Sequence, residues 1–254
     1  MKEDMKETAK NAVRFLAPPL VRNWPIANWP GWLGRTLGVK VPRSIKRQPS
    51  GPTGAANINI LCEMIERTCR LDGDIADCGV FIGGSTIGMG LYMRERGIAK
   101  TIYGFDSFEG FDEESAAKDM ELGGVKNEDR HLHGFSSTSF EKVVAKVNRH
   151  HLQSVKLVKG YFSESLPTLS SSVRFCFAHL DVNLYDFYKQ CLEFFYYRLV
   201  PGGIILLDEY NDPPSPGCNK AVDELLGKPE RLEMIERDNH QKWYFVKSRS
   251  TETS

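Results

Sequence analysis

From residue 55 onward, short strand-like runs alternate with longer helical ones, and few folds accept that alternation. Ile58, Leu61, Ile65 and Cys69 recur at helical spacing, residues 74–80 read as a strand, and 86–96 read as a helix. A strand at 101–105, a polar irregular stretch at 112–137 and a helix at 140–148 follow. Strands at 155–158 and 173–180, a helix at 185–199 and a strand at 203–207 complete the run. Strands separated by helices require crossovers, which are right-handed, so the pattern predicts an α/β fold: a mainly parallel sheet with helices on both faces. The end of the chain breaks this rhythm. Residues 231–236 and 242–247 are both strand-like, and the gap at 237–241 admits a hairpin but no helical crossover, so one terminal strand runs antiparallel.

The first 54 residues have a different character. Trp24, Trp29 and Trp32 sit among Pro25, Pro30 and Gly31, and a basic stretch (Lys40, Arg43, Lys46, Arg47) ends in Pro49-Ser50-Gly51-Pro52. The expected organisation is an arm at 1–54, a body at 55–248 and a frayed tail at 249–254. Exposing three tryptophans would be costly, so the arm is expected to pack on the body or on a second copy, as in a homodimer. Thirty-three basic residues balance 33 acidic ones, which leaves no global field to favour nucleic acid or an anionic bilayer. No apolar run reaches the roughly 18 residues of a membrane span, and the N-terminus lacks a secretory pattern. The six cysteines (Cys62, Cys69, Cys78, Cys176, Cys191 and Cys218) form no C-x-x-C pair, so reduced thiols and a cytoplasmic location are expected. The expected partner is a small molecule.

In an open parallel sheet, ligands bind beyond the carboxyl ends of the strands, so the residues following each strand carry the functional signal. The first strand runs into Asp77-Cys78-Gly79-Val80-Phe81-Ile82-Gly83-Gly84-Ser85, a glycine turn that opens a helix and lets backbone approach a ligand. Its spacing is neither G-x-G-x-x-G nor that of a phosphate loop. The next strand ends in Phe105-Asp106-Ser107-Phe108-Glu109-Gly110, with Asp106 about 20 residues past the glycine pair, where a carboxylate can hold a ribose diol. The alternative is that Asp106 only caps a helix. Tyr161 and Phe162 follow the strand at 155–158 and could wall an adenine ring or simply pack in the core. Asp181, Asn183, Asp208 and Glu209 follow two further strands as a nest of oxygen ligands suited to a hard divalent cation such as magnesium. Carboxylates held together repel unless a proton or a cation intervenes, so this cluster implies a metal or a proton-transfer task.

In this order, these segments resemble the macrocin O-methyltransferase family, a metal-dependent branch of the class I S-adenosylmethionine-dependent methyltransferases. The resemblance spans about residues 70–247. It also rests on Lys159-Gly160-Tyr161-Phe162, Leu180-Asp181-Val182-Asn183-Leu184-Tyr185, Leu199-Val200-Pro201-Gly202-Gly203, Asp208-Glu209-Tyr210, and Gly217-Cys218 with Ala221-Val222-Asp223. It implies a Rossmann-like, seven-stranded sheet with an antiparallel last strand, and methyl transfer to a hydroxyl of a sugar or other natural product. It places Asp77, Gly79, Val80, Phe81, Gly83, Gly84, Ser85, Asp106, Ser107, Phe108, Tyr161, Phe162 and Asp181 around S-adenosylmethionine. On the same reading Asp181 is the base, or a metal ligand, and Asn183, Asp208 and Glu209 hold Mg2+. The family usually has aspartate where this chain has Asn183 and Glu209, so a cation here would be held less tightly. Residues 112–137 are expected to form a lid over the acceptor, with His131 and His133 expected to face solvent. Two other readings are weighed: a nicotinamide-dependent oxidoreductase, which the glycine spacing disfavours, and a non-catalytic protein of the same fold.

Overall fold

The computed structural model describes residues 55–123, 135–213, 215–226, 232–237 and 240–248. The arm, the tail, His131 and His133 lie outside the described residues. Helix α1 spans Ala55–Thr68 and precedes β1, Asp74–Cys78. Then come α2, Gly84–Arg96, β2, Ile102–Asp106, α3, Glu113–Glu121, and α4, Phe140–Arg149. Strand β3, Val155–Lys159, leads into the short helix α5, Phe162–Ser165, and β4, Phe175–Leu180. The rest is α6, Tyr185–Arg198, β5, Leu199–Leu207, α7, Pro216–Leu226, β6, Leu232–Arg237, and β7, His240–Val246.

The seven strands form one sheet in the order β3-β2-β1-β4-β5-β7-β6. Strands β1 to β5 pair in parallel, while β7 runs antiparallel to both β5 and β6. The terminal hairpin therefore contributes the single reversed strand that the short 237–241 gap demanded. Strand β1 sits centrally because its two faces are both covered. Ala76 and Cys78 pack with α6 residues Cys191, Leu192 and Phe195, whereas Ile75 packs with Ile60, Met64, Met89 and Met93 of α1 and α2. Strand β5 shows the same period of two: Ile205 and Leu207 belong to the first cluster, Ile204 and Leu206 to the second.

Several boundaries differ from the sequence reading, and three of the differences have a clear physical cause. The stretch at 112–137 is not irregular throughout, because α3 occupies its start. Asp112 caps that helix by accepting the Ser115 N–H at 2.8 Å, and Glu113 and Glu114 in the first turn suit the helix dipole. Strand β5 begins at Leu199 rather than at residue 203. Leu199 already pairs with Phe175, and Gly202 takes φ 82°, so Pro201-Gly202 bends the strand without ending it. Strand β4 begins at Phe175 rather than at residue 173, since the Val173 N–H closes a turn onto the Ser170 carbonyl.

Candidate active site

The carboxyl ends of β1 to β5 open on one cleft that encloses roughly 1080 Å³, including its mouth. Its floor is fixed first by Asp77, a buried carboxylate with no solvent exposure. One oxygen lies 2.8 Å from His179 Nδ1; the other accepts the Ser85 hydroxyl at 2.7 Å and the Thr86 hydroxyl. The start of α2 is thereby tied to β1 and β4 before any ligand is considered. Gly79, at φ 92°, runs so close to β4 that a Cβ would stand 1.8 Å from the Asp181 carbonyl oxygen. Only glycine allows these two strand ends to converge.

Across that turn, Asp106 accepts the Phe81 N–H at 2.7 Å on one oxygen and the Phe108 N–H at 2.6 Å on the other. Burial raises its pKa and the two amides oppose that rise. Each oxygen keeps a second acceptor site, so a carboxylate fixed in this way can still receive two hydroxyls from a ribose. The turn is braced from behind, where Thr138 donates to the Phe81 carbonyl at 2.6 Å and Lys146 to the Ile82 carbonyl at 2.8 Å. Beyond Asp106 an aromatic wall continues edge to face. Phe81 meets Phe135 at 5.1 Å, Phe135 meets Phe111 at 5.5 Å, Phe111 meets Phe187 at 6.0 Å, and Phe187 meets Phe162 at 5.3 Å between ring centres. A nucleoside cofactor fits this combination of ribose acceptor, glycine backbone and aromatic wall.

The opposite corner is acidic. Asp181 and Asn183 follow β4, Asp208 and Glu209 follow β5, and all four line the cleft. Burial, then the neighbouring Asp208 charge, push the Asp181 carboxyl up to about 6. Burial acts against ionised Asp208 as well, yet His179 and Lys242 outweigh it and hold that carboxyl at about 2. His179 is depressed by burial but receives more from its two carboxylates, Asp208 and Asp77, which push it up to about 10. Burial and the charges of Asp181 and Asp208 raise Glu209 well above its ordinary value, and the Tyr188 hydroxyl donates to it. The corner therefore holds one firmly ionised carboxylate, Asp208, and one that titrates near neutrality, Asp181.

A divalent cation needs several free oxygens arranged around a common centre. Among the described residues, His179, Asp181 and Asp208 bring candidate ligand atoms within 4.8 Å of one another. Both ring nitrogens of His179 already face carboxylates, Nδ1 against Asp77 at 2.8 Å and Nε2 against Asp208 at 3.5 Å. Asp208 Oδ2 is already 2.7 Å from Lys242 Nζ, and its Oδ1 faces His179 Nε2 at 3.5 Å. The donor set as folded does not fit magnesium.

The structure gathers most of the residues singled out from the sequence. Gly79, Val80, Phe81, Gly84, Asp106, Ser107, Tyr161, Phe162, Asp181, Asn183, Asp208 and Glu209 all line the cleft. Asp77, Ser85, Gly83 and Phe108 stand behind its surface. Asp77 and Ser85 bond each other, Gly83 precedes α2 with φ 90°, and Phe108 packs against Phe140 at 5.3 Å. Sequence reasoning missed the wall residues Phe111, Phe135 and Phe187, which are single aromatics scattered through polar or helical segments, and it missed His179 and Lys242. For His179 a signal existed, since it directly precedes Leu180-Asp181 at the end of a buried strand.

A seven-stranded sheet with one reversed strand, a glycine turn facing a buried carboxylate, and an acidic corner beside them match the class I methyltransferase fold. Solved structures share the fold: the O-methyltransferase NovP superposes with a TM-score of 0.68 at 24% identity, covering 80% of this chain and 84% of that one. The calicheamicin methyltransferase CalS11 superposes with a TM-score of 0.62 at 21% identity, covering 95% and 92%. The chain belongs to the macrocin O-methyltransferase (TylF) family, which it matches over residues 35–242. Among curated relatives, the 8-demethyl-8-(2,3-dimethoxy-alpha-L-rhamnosyl)-tetracenomycin-C 4'-O-methyltransferase of Streptomyces olivaceus is 33% identical over 163 residues, 61% of this chain. That alignment spans 59% of the relative's own length. The mycinamicin III 3''-O-methyltransferase of Micromonospora griseorubida is 27% identical over 214 residues, 77% of each chain.

Proposed function

We propose that this chain transfers the methyl group of S-adenosylmethionine to a hydroxyl of a small molecule, a sugar or a related natural product, with Asp181 as the base. One observation carries the reading: Asp181 lines the same cleft as Asp106, and its carboxyl titrates at about 6. S-adenosylmethionine, when bound, supplies a methyl group on a sulfonium that a well-placed nucleophile can attack. Asp106, with Phe81 and Phe108 behind it, holds the ribose; the aromatic wall keeps water from the reacting atoms. Asp181 accepts the proton of the acceptor hydroxyl, and His179 and Lys242 hold the adjacent Asp208 as an anion that does not compete for that proton. Asn183 lines the same corner and can hydrogen-bond an acceptor, but it cannot act as a base.

Magnesium, which the family resemblance implies, forms no step of this reading, because Lys242 and His179 already face both carboxylate oxygens of Asp208. The sugar chemistry is supported by the activities for which the two relatives above are named. Of the expected lid at 112–137, the described residues include α3, while its centre and the arm at 1–54 lie outside the described residues. A cytoplasmic location is supported by six unpaired cysteines. No helix among the described residues is long and apolar enough to cross a membrane.

The test is Asp181→Asn. Turnover is expected to fall by ~10² or more, while calorimetric affinity for S-adenosylhomocysteine stays within about twofold of wild type, because Asp106 and the glycine turn are untouched. A variant that still turns over at the wild-type rate removes Asp181 from its role.

A further inference from the structure

Lys242 has no place in the sequence reading, yet it reaches the acidic corner from the one reversed strand. Trp243 of β7 stands opposite Leu207 of β5, so Lys242, one position earlier on an antiparallel strand, projects just past the end of β5. There its ammonium donates to the Asp208 carbonyl oxygen at 2.7 Å and pairs with Asp208 Oδ2, also at 2.7 Å. The contact is well shielded, with only 12% of the Lys242 side chain and 15% of the Asp208 side chain exposed. An ammonium this enclosed is tolerated when it is paired and hydrogen-bonded, and both conditions are met by a single residue of the corner. Two further oxygens of the corner are engaged. Asp208 Oδ1 faces His179 Nε2 at 3.5 Å, and Glu209 Oε2 accepts from Tyr188.

We propose that Lys242 is a tethered cation that stands in for a divalent metal, orienting Asp208 and neutralising the acidic corner so that methyl transfer needs no metal ion. The argument is one of position and charge. A magnesium ion in such a corner would fix the carboxylates relative to the acceptor and offset their mutual repulsion. An ammonium does both for Asp208, and being covalently attached to the fold it is present at every ligand concentration. It differs in one respect: it binds as a point charge with three donors and imposes no octahedral geometry. Lys242 acts through Asp208 and is a positioning residue. The inference rests on the methyl-transfer reading of the cleft, but its first test does not.

Free manganese has a paramagnetic resonance signal that is lost on coordination, so an equimolar titration of the full chain, without acceptor or turnover, reports whether the corner takes a divalent ion. Wild type is expected to leave the signal intact, and stoichiometric loss of signal in wild type overturns the proposal. In the second test, methyl transfer by wild type is expected to be unchanged by a chelator, and its abolition by chelator also overturns the proposal. Lys242→Met, which leaves Asp208 without its partner, is expected to slow transfer by about tenfold or more in chelator and to regain activity with magnesium. Lys242→Arg, which keeps the charge, is expected to remain active in chelator. A Lys242→Met protein as fast as wild type in chelator would refute the role. Should Lys242→Met fail to fold, the two wild-type measurements still decide the matter. Should no acceptor be methylated under any condition, the enzymatic reading has failed and the manganese titration still settles the metal question.

Discussion

Asp181 illustrates how a single group can be costly to the fold and necessary for the chemistry. Its folded pKa of about 6 lies above its ordinary 3.8, because burial and the Asp208 charge disfavour the ionised form. A carboxyl with a raised pKa contributes stability that is complete below its unfolded pKa and is lost as pH rises through the folded one. Two consequences share that window. The rate kcat/KM should fall as pH drops through about 6, where the base becomes protonated. In the same range Asp181→Asn should become progressively more stable than wild type as pH rises from about 4 to 7, gaining about 1–3 kcal/mol at neutral pH. Denaturant unfolding at pH 4 and pH 7 checks the stability half; equal differences at the two pH values would show that Asp181 is not held in this state. His179 carries the same trend in a higher pH window. Its pKa is raised from 6.5 to about 10, so its contribution is complete below 6.5 and disappears toward pH 10.

The βα turn after β1 is where local sequence and tertiary constraint meet. Gly79 lies at φ 92° with the Asp181 carbonyl 1.8 Å from the position of a Cβ, while Gly97, at φ 65° after α2, has nothing within 4 Å. Gly79→Ala must therefore push β1 and β4 apart at the floor of the cleft, and a loss of more than about 3 kcal/mol is expected. Gly97→Ala meets only the backbone strain of a left-handed residue, about 1 kcal/mol. Thermal unfolding of the two variants side by side tests the difference, and similar midpoints would contradict this packing. The strand-end motifs were readable because they are local. Asp77 to Ser85 and Phe105 to Gly110 each present glycine, carboxylate and small polar groups within a few residues, and the sheet rule says where they point. The hidden features are those made by distance in sequence. The Asp77–His179 contact spans 102 residues, the Lys242–Asp208 contact crosses an antiparallel pairing, and the aromatic wall takes its rings from five separate segments. Helix α3 escaped for another reason. Its composition is polar, and only Ser115, Ala116 and Asp119 of it are buried, so no apolar periodicity announced it.

Two apolar clusters cover the faces of the sheet, and a third, around Val80, Phe108, Val143 and Val147, lies beside the glycine turn. The cleft runs along the edge where they meet, so a ligand gripped by Asp106 at one end and reaching Asp181 at the other ties β1, β2 and β4 together. Such a ligand binds the folded chain only, and its free energy adds directly to stability. S-adenosylhomocysteine at 100 times its Kd should contribute about 2.7 kcal/mol, which for a domain of this size raises Tm by roughly 5–10 °C. Asp106→Asn removes the charge that accepts the ribose hydroxyls while keeping the shape. Charge-assisted bonds of this type are worth about 1.5–3 kcal/mol, so affinity should drop ~10- to 100-fold and the shift at the same ligand concentration should shrink to about half or less. Scanning calorimetry of wild type and variant across a ligand series measures both quantities together. If Asp106→Asn kept the full shift, the cofactor would be held by some other part of the sheet edge, and the ribose assignment would have to be abandoned.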